Sequence, residues 1–191
     1  LEMHETWVNV TEKLNAHHDY PELFKEAFGI DEIDSNFVTK AIAQFNRTLI
    51  SGNSRWDKWT QGEVLFSNKE LKGWDLFNLD RTEFSAGGDC FHCHAPPHFT
   101  DFTFHNNGLD SDESFTDLGL FIITENDVDK AKFKTPTLRN IEVSGPYMHD
   151  GRFQTLEEVI EHYNSGGHFS STVDPLMKNI GQGLALSADD K

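Results

Sequence analysis

The residues of this chain whose types and spacing bear most directly on chemistry are Cys90, Phe91, His92, Cys93 and His94. Two cysteines separated by two residues, with histidine immediately after, have the spacing at which both thiols add to the vinyl groups of one haem while the next imidazole ligates its iron. The pentapeptide therefore predicts a c-type haem attached through Cys90 and Cys93, with His94 as its proximal ligand. Paired cysteines serve two other chemistries. A redox-active pair sits in a strand-to-helix setting of thioredoxin type, and structural zinc normally takes a second pair of ligands at matching spacing. The chain has only these two cysteines, and the preceding Phe84-Ser85-Ala86-Gly87-Gly88-Asp89 is a glycine-rich loop rather than a hydrophobic strand. Zinc held by Cys90, Cys93 and His92 or His98 stays open as the alternative.

The elements that must position this motif are mostly helical. Apolar residues at Trp7, Val8, Val10 and Leu14 predict a helix from Glu5 to about His18. Pro21 suits a first helical position, and Leu23, Phe24, Ala27 and Phe28 form a short apolar face closed by Gly29. A stronger helix is predicted after Asp34 or Ser35, where Phe37, Val38, Ala41, Ile42, Phe45 and Leu49 recur at spacings of three and four until Ser51-Gly52. Ser67-Asn68-Lys69-Glu70 and Thr155-Leu156-Glu157-Glu158 have the form of capping boxes. The first opens a helix with Leu71, Trp74, Leu76 and Phe77 on its buried side, and the second one with Leu156, Val159, Ile160 and Tyr163. From Ala95 to about Lys134 the chain reads as loop, with Phe99, Phe102, Phe104, Phe115 and Phe121 scattered through it. A loop that long in a small domain needs a core from elsewhere, which a haem would supply. The best strand pattern is Leu118 to Thr124. The predicted class is all-α, with long loops.

With 191 residues the chain is long enough for a domain with a real core, and sixteen Phe and four Trp suit a flat cofactor buried among rings. A net charge of -16 argues against nucleic acid as partner. It would steer a basic redox protein, or simply keep the surface soluble. No apolar run approaches the length of a membrane-spanning helix. Leu1 in place of an initiator Met reads as a truncated start.

Phe133-Lys134-Thr135-Pro136-Thr137-Leu138-Arg139-Asn140, Pro146-Tyr147-Met148-His149-Asp150-Gly151 and Thr155-Leu156-Glu157-Glu158-Val159, in this order after Cys-x-x-Cys-His, resemble the bacterial dihaem cytochrome c peroxidase and MauG family. So does Ala41-Ile42-Ala43-Gln44-Phe45-Asn46-Arg47-Thr48-Leu49. The resemblance implies a cytochrome c-like helical haem domain over residues 1–191, the family's C-terminal one, with residues 1–30 as inter-domain segment. An N-terminal haem domain is expected upstream, and Leu184 to Lys191 resembles the start of a last helix. It also implies a periplasmic enzyme in which this haem takes electrons from a small cytochrome c or a cupredoxin, while the other haem meets hydrogen peroxide. The family further suggests a homodimer.

By the same resemblance Leu1-Glu2-Met3 matches a segment whose glutamate serves the peroxide-binding haem, which makes Glu2 the expected acid/base. The family's distal ligand to the C-terminal iron is methionine in the peroxidase branch and tyrosine in the MauG branch, and the matching position is Tyr163. Met148 is the competitor, and a core tyrosine is the plain alternative. Arg139 is a candidate partner for a haem propionate, or for a structural salt bridge. Backbone carbonyls at Ser144 and Pro146 match the family's inter-domain calcium site. His92, His98, His105, His149, His162 and His168 show no ligand pairing, and no metal is assigned to them. Three readings follow: a peroxide-reducing dihaem oxidoreductase, a MauG-like enzyme that uses ferryl haem to oxidise a protein or organic substrate, and a monohaem electron carrier.

Overall fold

The computed structural model describes residues 5–82, 85–177, 180 and 182–191. Glu2, with Leu1 and Met3, and Phe84 in the glycine-rich loop lie outside the described residues. The chain divides into two compact units, residues 1–52 and 53–191. Among the described residues there are seven α-helices and one two-stranded sheet, so the all-α reading holds.

The first unit has three helices: α1 (Trp7–Ala16), α2 (Tyr20–Phe28) and α3 (Ser35–Thr48). Each boundary has a local cause. Thr6 and Asp34 accept a backbone N–H from the first turns of α1 and α3, Pro21 lies in the first turn of α2, and Gly29 ends α2 in the left-handed region at φ +70°. Phe24, Ile33 and Val38 form the core, with Leu14, Phe28, Ile30, Phe37 and Ala41 packed around them. Asn15 stitches this core by exchanging two hydrogen bonds with the Ile33 backbone, at 2.8 and 2.9 Å. The apolar face expected along all of α3 is covered only at its beginning. Ile42, Phe45 and Leu49 remain exposed, because α1 and α2 pack around the Val38 end.

The second unit begins with α4 (Arg55–Thr60), which the sequence reading did not identify, and continues with α5 (Asn68–Asn78). Both start in complete capping boxes, Ser54 with Asp57 and Ser67 with Glu70. Trp56 and Trp59 of α4 meet Trp74 of α5 at ring distances of 5.9 and 6.0 Å, and Trp56 meets Phe99 edge-on at 4.9 Å. Leu71, expected on the buried side of α5, is 38% exposed.

The long middle segment is mostly turns. It contains a short antiparallel pair, β1 (Phe104–His105) with β2 (Phe133–Lys134), in register Phe104 to Lys134 and His105 to Phe133. The strand expected from Leu118 to Thr124 is not formed; Phe121–Thr124 is instead a short helix, α6. Gly119 explains the difference. It takes φ +54° so close to Lys132 that a Cβ would come within 2.4 Å of that carbonyl, and the chain turns into the helix there. The last helix, α7 (Leu156–Ser165), has the predicted Thr155 and Glu158 capping box and ends at Gly166 in the left-handed region. The helix expected from Leu184 is replaced by irregular chain, with Ala185 at φ +59°, up to Ser187, whose backbone and hydroxyl then close a single turn onto Asp190.

Two charged groups brace the second unit. Asp57, which caps α4, also receives both ends of the Arg139 fork at 3.0 Å each. The Arg139 and Ser54 hydrogen bonds hold its carboxyl well below the usual range, in spite of burial. His105 is gripped on both sides, with Nδ1 2.5 Å from Asp174 and Nε2 2.7 Å from Asp101. Carboxylates only accept, so both ring nitrogens donate and the ring is an imidazolium. Burial opposes that charge, but the bonds to Asp174 and Asp101 outweigh it and raise the pKa.

Opposite pH dependences follow. Asp57→Ala should cost about 2 kcal/mol or more at neutral pH, because it removes the carboxylate that neutralises a half-buried guanidinium and caps α4. Its folded pKa is depressed, so this stabilisation is complete above the unfolded carboxylate pKa and is lost as the pH falls. Denaturant titrations of both proteins from about pH 7 to about pH 3 check it. His105→Leu should be most destabilising below about pH 6.5, with the gap closing as the pH rises through the raised folded pKa. Melting curves from about pH 5 to about pH 9 would contradict this if the gap widened instead.

Candidate haem site

The Cys-x-x-Cys-His segment is set against the end of α5. The Gly88 N–H bonds Leu76 O at 2.7 Å and the Asp89 N–H bonds Leu79 O at 3.2 Å, so the loop supplies further donors to carbonyls at the end of the helix. This contact requires glycine: a Cβ on residue 88 would lie 2.8 Å from Leu76 O and 3.1 Å from Cys90 Sγ. A 3-10 turn over Cys90–His92 follows, and the His94 N–H closes onto Cys90 O at 2.9 Å. Both thiols end up in one short turn.

The His94 ring is aimed by the backbone. Its Nδ1 donates to Phe99 O at 2.9 Å, which leaves Nε2 as the basic nitrogen. Burial lowers the His94 pKa, and a neutral imidazole is the form that ligates iron. The Phe99 carbonyl is in turn held by the Leu138 N–H at 3.3 Å. On either side of that bond Thr137 donates to His98 O at 2.5 Å, and Arg139 donates to Pro97 O at 2.9 and 2.7 Å. Three consecutive residues of the Thr-Leu-Arg motif thus hold three consecutive carbonyls just after His94.

Arg139 is therefore placed in the structural ion pair that the sequence left as its alternative role. Its fork points at Asp57 and Pro97 O, and its guanidinium lies 5.6 Å from the Phe99 ring centre. Beside Arg139 a buried donor meets no protein acceptor among the described residues, the indole Nε1 of Trp56. Sequence reasoning missed Trp56, Asp57 and Arg152; the Ser54-x-x-Asp57 capping box was the available signal for the first two.

The second half of the site comes from the Pro-Tyr-Met-His-Asp-Gly turn and α7. The Tyr147 hydroxyl, from a buried ring, donates to Ile141 O at 2.8 Å. Arg152 donates to Asp150 at 2.7 Å and to both oxygens of Asp110 at 2.9 and 2.8 Å, tying the turn to the segment after β1. Tyr163 and Met148 converge on one group. The Asn107 side-chain nitrogen lies 3.2 Å from the Tyr163 hydroxyl and 3.4 Å from the Met148 sulfur. Burial pushes the Tyr163 phenol up, the Asn107 hydrogen bond works against this, and the phenol is close enough to Cys90 and Cys93 to feel both.

Ser144 and Pro146 are exposed, and three clusters of carboxylate, His and Cys side chains lie elsewhere in the described residues. One of those clusters, Cys93 with Asp101 and His105, places the imidazolium bracket beside the second thiol.

The donor set fits a c-type haem. Burial pushes Cys90 up to about 12 and Cys93 up to about 11, so both sulfurs are protonated at neutral pH. That is contrary to the electropositive setting that makes metal-binding thiolates. One imidazole whose Nδ1 is taken by a backbone carbonyl, two adjacent sulfurs and a buried indole N–H without a protein acceptor among the described residues are the groups offered to the haem.

Comparison with known proteins bears on the family and the fold. The family model for di-haem cytochrome c peroxidase matches residues 1–65. The chain is 39% identical over 162 residues to the methylamine utilization protein MauG of Methylorubrum extorquens, covering 83% of this chain and 43% of that protein. It is 38% identical over 145 residues to the cytochrome c551 peroxidase of Nitrosomonas europaea, covering 74% of this chain and 41% of that one. The crystal structure of a MauG-like protein associated with microbial copper homeostasis superimposes with a TM-score of 0.74 at 32% identity, covering 96% of this chain and 58% of that one. The chain spans less than half the length of these two curated relatives. On this likeness of sequence and fold, the chain belongs to the dihaem cytochrome c peroxidase and MauG family.

Proposed function

We propose that this chain is the electron-transferring haem domain of a periplasmic dihaem oxidoreductase that consumes hydrogen peroxide. The observation that carries the reading is the fixed His94 ring, with Nδ1 committed to Phe99 O and Nε2 left for iron, directly after two sulfurs in one turn. Cys90 and Cys93 would hold the haem through their sulfurs, and His94 and Tyr163 would offer an imidazole nitrogen and a phenol oxygen to its iron. The Trp56 indole N–H is the donor offered to a haem carboxylate, with Arg139 bracing the wall beside it. The haem supplies one-electron transfer. Peroxide takes two electrons and two protons to become two waters, so electrons from a small cytochrome c or cupredoxin pass through this domain one at a time. The chain's net charge of -16 favours a donor with a basic face. Glu2 is the acid/base for the other haem, and carbonyls of Ser144 and Pro146 are offered to a calcium ion between the domains.

One observation favours the MauG-like variant of this function. The phenol of Tyr163 is near enough to Cys90 and Cys93 to feel both, and its helix α7 carries no methionine. A phenolate ligand supplies negative charge to iron and stabilises its oxidised state relative to a neutral thioether. A haem so ligated is hard to reduce, which suits oxidation of a protein or organic substrate.

Two measurements test these assignments. Protein made with a periplasmic haem-ligation system should carry a haem that survives acid acetone. Cys90→Ala or Cys93→Ala should weaken that attachment, and His94→Ala should change the iron spectrum; recovery of zinc without haem would overturn the reading. Tyr163→Met should raise the midpoint potential of this haem, whereas Met148→Leu should leave it nearly unchanged. Spectroelectrochemistry that found the reverse would return the domain to the methionine-ligated peroxidase type.

A further inference from the structure

Asn107 stands where two potential iron ligands meet. A carboxamide carries two N–H groups on one nitrogen, so it serves the Tyr163 oxygen at 3.2 Å and the Met148 sulfur at 3.4 Å together, one on each side. Asn107 is itself fixed in place. Its backbone carbonyl accepts from His162 Nε2 at 3.0 Å, one residue before Tyr163. The adjoining Asn106 is only 2% exposed; its side chain donates to the Ser170 and Thr172 hydroxyls and accepts the Gly108 N–H. Gly108, at φ +67°, returns its carbonyl to the His168 N–H at 2.7 Å. The amide is thus anchored to both sides of the end of α7. Met148 is anchored too, at φ +69° between the buried Tyr147 and the Asp150–Arg152–Asp110 ion pairs.

We propose that Asn107 is the positioning residue of the distal side: its amide fixes the Tyr163 oxygen as the iron's ligand and holds the Met148 sulfur beside it as a tethered rival, which iron takes only when that donor is lost. The proposal rests on the reading of Tyr163 as distal ligand. A hydrogen bond given to an anionic oxygen is charge-assisted, whereas one given to a thioether is weak, so the same amide stabilises phenolate ligation far more than sulfur ligation. The lone pairs point the same way. A phenolate bound to iron keeps two lone pairs on a charged oxygen to offer the amide, while a thioether bound to iron keeps one on a neutral, weakly accepting sulfur. Loss of the donor therefore reduces the advantage of Tyr163 by roughly tenfold to a hundredfold, the worth of a hydrogen bond to a charged group.

The test is spectroscopic and uses the haem-loaded protein. In Asn107→Leu the ferric haem should gain the near-infrared band of histidine and thioether ligation, and should bind added imidazole about tenfold more tightly, because the internal ligand is easier to displace. The band should vanish in the double variant Asn107→Leu/Met148→Leu. Asn107→Asp keeps the shape but replaces the donor with an acceptor, and it should move both readouts in the same direction even if the leucine variant fails to hold haem. Ferric spectra and imidazole affinities within about twofold of the parent in both variants would overturn the role of Asn107. Tyr163→Phe separates this from the underlying ligand assignment. An unchanged ferric spectrum there removes Tyr163 from the iron, whereas a changed one beside silent Asn107 variants sinks the positioning role alone.

Discussion

The grip of Thr137, Leu138 and Arg139 on the carbonyls of Pro97, His98 and Phe99 is the constraint on which the site depends. A carbonyl in a turn has no helix or sheet to satisfy it, and three in succession would leave that stretch of backbone unsatisfied. Here each is met by a neighbouring residue of the same short motif. The Phe99 carbonyl thereby gains a fixed direction, and that direction orients His94. Arg139 extends the chain of consequence to Asp57, so the start of α4, the proximal loop and the motif after β2 are braced by one ion pair. Such a pair adds little net energy compared with apolar packing, but removing one member is costly, which is how it enforces a single arrangement.

The distal half is organised by the same economy of backbone and short polar side chains. Asn106, Asn107 and Gly108 link the segment after β1 to the end of α7, while Arg152 links it to the turn containing Met148. None of these residues is a large apolar anchor. Orientation comes from hydrogen-bond geometry, with the aromatic rings supplying bulk on the proximal side.

Legibility in the sequence followed the physical origin of each element. Helices α2, α5 and α7 carry local signals, Pro21 and Gly29 or complete capping boxes, and their boundaries were readable because a cap involves residues three apart. The cysteine pair and His94 were readable for a similar reason: their chemistry is encoded in five consecutive residues. Helix α4 was overlooked because six residues with two tryptophans have no clear period. Phe121-Ile122-Ile123-Thr124 looked like a strand because β-branched residues favour one, and only Gly119 packed on Lys132 reveals the turn. Arg139 illustrates the deeper limit. Its chemistry suits either of two carboxylates, and the choice of Asp57 is made by a contact across 82 positions that no local pattern records.

The raised pKa values of Cys90 and Cys93 bear on the order in which the molecule is assembled. A thiol held protonated under Gly88 and the end of α5 is a poor nucleophile, and the turn that buries it leaves little room for an enzyme to reach it. On the proposed reading the sulfur–carbon bonds form while this stretch is still open, before Gly88 docks on Leu76. The cofactor is then a participant in folding rather than a guest of the finished domain. On that reading the maturation of the protein is tied to the supply of haem where the chain folds.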